Sequence, residues 1–589
     1  MEQLGQSDES PFRLLLAFGL ALLIITAWQS FFGPKNRPVP ETGPRQEAET
    51  PARPEEPPAP TEGGPLERSE DPENENGIEN PSEALSAGAA EEVILENDRL
   101  RLVFHNRGAV LTHAYLKGYE DKDGGDNDLV SPACDLLEAY PLAVVTEDQT
   151  YNTMLNEALF HVERSEADGA SSVIFRYMDE HGNGAAKTVV LPDGEGALDL
   201  TLSLHRAGGE ISPVPIRWGP GFAGLTKLQA RNPYNQQDYA ALSLGGSFKK
   251  VRKAKKAKIQ EYGTDTGVEW AAASNNYFAA VFVPEAPLPQ ATVVHIPLTD
   301  EQKELFPADS VIALDLPLPE HVRLHLIPKR YALLREMGGN FTRLADWGRF
   351  LGPICVVLFW GMEKLHSFTG NYGFSIILLT LVVKLLFFPF THKSMVMMKQ
   401  MGEGMKKLQP QVDRLKAKYK KLGQSMENRQ KMNEEMMALY QREGINPMAN
   451  MAGCLPILLQ MPIFFALFTL LPRSIELRGA PFVMWIQDLS IYDPYFITPI
   501  GMGVAMCFST LMTSSQMQGA QKTMMWMMPV FFTFICLRAP AGLTIYWLTN
   551  TLLSMVQQGL INRQFRVKKE AEQKSRKSTP KKQSKKSHG

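Results

Sequence analysis

The sequence predicts an α-helical polytopic membrane protein with six transmembrane helices and both termini in the cytoplasm. To these it adds an all-β domain outside and a cytoplasmic helical hairpin. Three observations predict it. Six apolar runs are long enough, singly or as a tight pair, to enter a bilayer that takes about 20 helical residues per crossing. Charge is segregated: residues 393–443 carry a net +6 and residues 562–589 a net +9, although the whole chain is −3. A long polar region after the first run alternates apolar and polar residues with period two, the repeat of a half-buried strand.

Residues 1–13 form a short polar N-terminus, and 14–32 the first span. Its exit, TAWQSFFGP, carries bulky aromatics where a signal peptide would have a small-x-small cleavage site. An uncleaved anchor is expected. Residues 33–91, with stretches such as PARPEEPPAPTEGGP, cannot bury enough apolar surface to fold and read as a tether. From 92 to 330 the chain reads as a β-sandwich. ALDLTLSLHRA puts Leu198, Leu200, Leu202 and Leu204 on one face, LRLVF and VRLHL alternate likewise, and turns such as LPDGEGA and DEHGNG intervene. Only Cys134 lies in this region, so it folds without an internal disulfide. His105 and His113 are expected to be packing or surface residues. The basic run KKVRKAKKAK (249–258) is expected to be a solvated loop.

Residues 331–370 hold FLGPICVVLFW, an apolar core of about eleven residues that is too short to span and reads as an amphipathic interfacial lead-in. The second span is 371–391, followed by a cytoplasmic hairpin at 392–452. The third span is 453–473, with an outside loop at 474–494. The fourth is 495–514, with a short cytoplasmic loop at 515–523. The fifth (524–537) and sixth (541–560) flank a RAPAG turn, and 561–589 is a basic cytoplasmic tail. Both basic blocks belong inside by the positive-inside rule. The 474–494 loop has no positive bias and fits outside.

In the hairpin, Met401, Met405, Leu408, Val412, Leu415, Tyr419 and Leu422 recur at alternating spacings of four and three, giving one apolar helical seam that Pro410 should kink. A second helix carries Met432, Met436 and Leu439. Met surfaces adapt to varied partners, so Met401, Met405, Met432 and Met436 are candidate contacts for passing apolar segments. A solvated positive-inside loop is the plainer alternative. The tail fits attraction to anionic lipids and equally to ribosomal RNA phosphates.

The second span, LLTLVVKLLFFPF, contains Lys384. An ammonium at the bilayer centre costs roughly 2.5–3.5 kcal/mol on insertion scales. Snorkelling is one explanation, since Phe390 is six residues away, about 9 Å along a helix. The neighbours favour another. Thr380 lies one turn earlier, the later spans offer Gln460, Thr544, Tyr546, Thr549 and Asn550, and no Asp or Glu lies within the spans. A cation with only neutral polar neighbours implies water, hence a wet groove. The chain has no GxxxxGK[ST], GxSxG or HExxH motif, no CxxC and no His cluster, so no enzyme, metal or cofactor is expected. A secondary transporter or channel, or an anchored binding protein acting through its β-domain, stays open on these grounds. No internal repeat favours the transporter.

The run NPMANMAGCLPILLQMPIFFALF (446–468) resembles the signature of the YidC/Oxa membrane-protein insertase family. So, in order, do GNYGFSIILLTLVVKLLFFPFTHKS, ELRGAPFVMWIQDLSIYDPY and RAPAGLTIYW. The anchored outside domain is similar to the bacterial inner-membrane form. The resemblance implies an insertase and chaperone that inserts and helps fold and assemble integral membrane proteins, alone or with the Sec translocon. It implies a supersandwich-like periplasmic domain. It also implies a groove open to cytoplasm and lipid, with Lys384, Thr380, Gln460, Thr544, Tyr546, Trp547 and Asn550 as its candidate residues. Implied partners are nascent membrane proteins and Sec components; the basic tail adds membrane lipids or a ribosome contact, and no DNA partner is expected. The family's usual groove cation is Arg. Lys384 keeps the charge and gives up the planar fork.

Overall fold

In the computed structural model the described residues are 84–120, 125–167, 169–207, 209–224, 238–306, 308–422, 425–442, 455–514 and 520–578. The expected anchor, most of the tether, the NPMANMAGC stretch, the 515–519 loop and the end of the tail lie outside them.

The β-rich region starts before the period-two pattern does. Leu85 exchanges backbone hydrogen bonds with Met178, and the Asn106 side chain accepts from Glu91 N and donates to Ala89 O. The tether expected to reach 91 therefore ends earlier. Backbone bonding of this kind leaves no trace in side-chain alternation.

Three antiparallel sheets follow. A four-stranded sheet runs from Glu92–Glu96 to Asp126–Asp128. A ten-stranded sheet has Ser247–Arg252 and His161–Ala167 at its ends. A five-stranded sheet runs from Lys258–Tyr262 to Ala143–Val144. Leu198, Leu200, Leu202 and Leu204 are all at most 2% exposed and pack in one core with Phe104, Trp218, Phe282 and Leu314. Two strands, Trp270–Ser274 and Phe278–Pro284, are buried nearly throughout. The reason is a second layer on the sheet's other face. Tyr239, Trp270, Ala279 and Ile327 pack against Leu334, Phe341, Leu344 and Trp347, and this cluster continues into the carboxy-terminal helices at Cys355, Leu467 and Leu470. The continuous apolar runs WAAAS and FAAVFVP are the sequence mark of that double burial.

One buried amine in this region is fully partnered, whereas Asn127 Nδ2, His205 Nε2 and Trp218 Nε1 are buried without a partner among the described residues. Lys187 donates to Gly108 O (2.7 Å), Ala109 O (3.1 Å) and Leu142 O (2.7 Å), one carbonyl for each ammonium proton. Burial pushes its amine down to about 7. His105 Nδ1 accepts from Arg107 N, while His113 pairs with Asp128 at 2.7 Å. The two histidines serve different partners. The basic run departs from its expected loop. Residues 249–252 are strand, and Lys250 is buried against Asp346 at 2.7 Å.

That pair anchors the junction between the β-rich region and the helices. Arg473 donates to Asp346 O at 2.6 Å and lies 3.7 Å from its carboxylate. Lys250 also sits 3.6 Å over the Tyr239 ring, and Lys329 donates to Tyr239 Oη and Asn275 O. Burial raises the Asp346 pKa, but Arg473 and Lys250 together hold it below the usual carboxylate range. Nearby, Arg478 donates to Gly224 O and stacks over Phe278, and Tyr277 Oη donates to Ser490 Oγ.

The carboxy-terminal region holds seven described α-helices: α1 (Gly352–Thr369), α2 (Tyr372–Lys421), α3 (Met426–Arg442), α4 (Leu455–Leu470), α5 (Ile497–Ser514), α6 (Ala520–Cys536) and α7 (Ala541–Ser578). Three differ from the sequence reading. First, α1 has 18 residues, not eleven, with Gly370 ending it in the left-handed conformation. Its polar last turns, EKLHSFT, hid its length. Second, α2 runs unbroken for 50 residues through Pro389 and Pro410, so no boundary separates the second span from the hairpin's first arm. At 1.5 Å per residue it is about 75 Å long, against a hydrocarbon core of about 30 Å. Third, α7 continues through the expected end of the sixth span to Ser578, so that much of the tail is helix.

Among the described residues, α2 is the helix long and apolar enough to cross a membrane. The apolar stretches Leu459–Leu470, Ile497–Met512 and Met525–Cys536 are shorter. These helices leave large apolar side chains uncovered by protein, including Leu385, Leu386, Phe508, Phe531 and Val556. Such a belt marks a surface that meets lipid or another apolar partner.

Candidate functional site

Lys384 lies where α2 packs along α7. Its ammonium donates to Asn550 Oδ1 at 3.1 Å and to Ser554 Oγ at 2.7 Å. Asn550 and Ser554 are four residues apart, one turn of α7, so both present oxygen on one face. Ser554 Oγ passes its own proton to Asn550 O at 2.7 Å, leaving its lone pair to the ammonium. Among the described residues, no carboxylate pairs with Lys384.

Seven residues further along both helices the seam is polar again. Gln557 Nε2 donates to Thr391 Oγ1 at 3.1 Å. Gln557 is 4% exposed, and its carbonyl oxygen has no partner. Lys384 to Thr391 and Asn550 to Gln557 are both two turns, so one line of polar groups runs along a contact between apolar helices.

The other expected residues divide into two groups. Gln460 donates to Tyr546 Oη, and Tyr546 is 1% exposed. Trp547 packs on Phe464 (ring centroids 4.8 Å) and Phe532 (4.5 Å), so an amide and an aromatic cluster join α4, α6 and α7. Thr380 and Thr544 do not reach the ammonium. The Thr380 hydroxyl turns back to Ile376 O at 2.6 Å on its own helix. Thr544 bonds Ala541 O and Thr498 Oγ1, and Thr498 joins Asp493 in capping α5. Thr544 also lies six residues from Asn550, about 9 Å along the axis.

Sequence reasoning missed Ser554, Thr391 and Gln557. The pattern Asn550-x₃-Ser554-x₂-Gln557, one polar stripe at helical spacing in an apolar run, carries the signal for two of them.

In the hairpin, Met401, Met405, Met432 and Met436 are half-buried, while Leu408, Val412 and Tyr419 are buried. Glu435 ties α3 to α2 through Lys418 (3.0 Å) and Tyr419 Oη (2.9 Å). The more exposed methionines of these helices include Met397 and Met437.

Two families match this chain: the YidC periplasmic domain over residues 92–361 and the 60Kd inner membrane protein over 364–570. A membrane protein insertase YidC of Citrifermentans bemidjiense is 32% identical over 487 residues, which is 80% of this chain and 86% of that protein. A membrane protein insertase YidC of Geobacter metallireducens is 29% identical over 583 residues, 94% of this chain and 98% of that protein. A solved structure of an active YidC insertase covers 80% of this chain and 93% of its own at 16% identity, with a TM-score of 0.34.

Proposed function

The chain belongs to the YidC membrane protein insertase family, a non-enzymatic inner-membrane family with a periplasmic domain, and from that premise we propose how this member works. Its substrates are membrane proteins, and its β-rich domain is periplasmic. Family membership sets aside the transporter and the anchored binding protein.

The proposed working part is a hydrated groove between α2 and α7, open to cytoplasm and lipid, with the Lys384 ammonium inside it. One observation carries this reading: a membrane-embedded cation held only by neutral oxygens, on a seam that stays polar at Thr391 and Gln557. An unneutralised charge needs water nearby, and water in the inner leaflet shortens the apolar path of a hydrophilic segment. The fixed positive charge attracts acidic residues of the incoming chain. The substrate's own apolar helix then leaves into lipid, and its burial supplies free energy at roughly 25 cal/mol per Å². Gln460, Tyr546 and Trp547 form the groove's inner wall in this reading. Thr380 and Thr544 serve as its structural support.

The proposal includes six spans with both termini inside, which puts the carboxy-terminal half of α2 and the whole of α3 in the cytoplasm as the two arms of a hairpin. There the half-buried methionines Met401, Met405, Met432 and Met436 contact passing segments when the arms part. The periplasmic domain is read as a supersandwich. The Sec translocon is a proposed partner, and the basic end of α7 meets anionic lipid headgroups or ribosomal RNA.

A photoprobe at position 546 tests the groove directly. With a ribosome-stalled, single-span nascent chain, adducts to the translocating segment are expected at 546. Adducts at the lipid-facing position 556 but none at 546 would place the substrate outside the groove.

A further inference from the structure

Resting on that reading, we propose that Ser554 is a positioning residue for insertion: with Asn550 it docks the Lys384 ammonium on α7, and the dock fixes where the groove's charge stands. A lysine side chain has four rotatable bonds and a flexible stem, so in an apolar helix it would swing toward the headgroups. Two oxygens one turn apart stop that swing. Asn550 Oδ1 and Ser554 Oγ take two of the three ammonium protons at 3.1 and 2.7 Å. The third is left for water or a substrate carboxylate.

The Ser554 hydroxyl is itself oriented. Its proton is committed to Asn550 O, so its lone pair must point outward to Lys384. A threonine in its place keeps this geometry, since Thr hydroxyls bond the carbonyl four residues back in helices. An alanine removes it. The dock suits a point charge with three donors. It offers no pair of coplanar acceptors for a guanidinium, which fits the presence of lysine at this position.

The test uses the full-length protein in proteoliposomes. Insertion is measured by protease protection of a single-span substrate whose translocated tail carries two aspartates. Ser554→Ala is expected to slow insertion roughly tenfold, the scale of one hydrogen bond to a charged group. Ser554→Thr should insert near the parent rate. Thermal melting of both variants should match the parent. The decisive arm is the double variant. In a Lys384→Ala background, Ser554→Ala should add nothing, because a dock without its ammonium has no task.

A purely structural Ser554 would slow insertion equally in both backgrounds, and that result overturns the proposal. So does an unaffected rate for Ser554→Ala when Lys384→Ala is defective, which leaves the groove reading standing. Normal insertion by Lys384→Ala removes the groove reading itself and the dock with it.

Discussion

Lys384→Ala is expected to slow insertion of substrates with polar translocated tails by roughly ten- to a hundredfold, the scale of one or two charge-assisted hydrogen bonds. Lys384→Arg should keep most of the activity. The argument is electrostatic. The ammonium is the charge that Asn550 and Ser554 hold between α2 and α7. Without it the seam keeps only neutral groups, which bind each other and no longer demand water. Arginine restores the charge and loses the fit to two oxygens on one helix turn. In-cell radiolabelling with protease protection reads the result. Substrates with short apolar tails should be nearly indifferent to both changes, because they do not need the wet path.

The second large effect lies at the junction. Asp346→Ala should destabilise the protein by about 3–5 kcal/mol, the usual consequence of leaving one half of a buried ion pair alone. Lys250 and Asp346 are only 11% and 17% exposed, and Arg473 leans on the same carboxylate. Lys329 lies close by, bonded to Tyr239 and Asn275 O, so removing Asp346 takes away the carboxylate that faces Lys250 and Arg473 in a basic cluster. Thermal unfolding in detergent and hydrogen exchange of Ser247–Arg252 would report the change.

The same groups give the junction a pH dependence of definite sign. The Asp346 pKa is lowered in the fold, so its contribution is present above the ordinary aspartate range and is lost as pH falls through the lower folded value. Burial pushes Lys250 down to about 7, so between pH 7 and the ordinary lysine value the unfolded chain binds the extra proton. Both terms make stability rise with pH. Asp346→Ala should remove the acid-side part.

Periodicity made some of this legible from the sequence and was silent elsewhere. The alternation at Leu198–Leu204 marked a buried face, because one side of a strand either meets a core or does not. WAAAS and FAAVFVP do not alternate, since both of their faces are covered, and the covering layer comes from residues far along the chain. Lys250 looked like one of many solvated lysines. Its partner is 96 residues away, and no local pattern announces it. The kink expected at Pro410 does not end the helix: Pro389 and Pro410 each remove one backbone bond, and α2 runs on through both. At the site, Lys384 was conspicuous as a charge in an apolar run, and Asn550 as an amide on a later one. Ser554 carries no such mark, because a single small hydroxyl in an apolar run does not stand out from its neighbours. Thr380 was named for its place one turn before Lys384 and Thr544 as a polar residue of a later span, and their hydroxyls satisfy neighbouring backbone or cap bonds instead.

The central claim is that the space around Lys384 holds water connected to the cytoplasm. Two cysteine substitutions on α7 test it, made after replacing the native cysteines: Asn550→Cys on the seam and Leu552→Cys, at a residue 48% uncovered by protein that faces lipid in the proposed arrangement. A membrane-impermeant maleimide is applied separately to each side of the membrane. The account predicts that the thiol at 550 reacts from the cytoplasmic side and not from the periplasmic side, while the thiol at 552 reacts from neither. A thiol at 550 as inert as the one at 552 would mean a dry seam and would contradict the account.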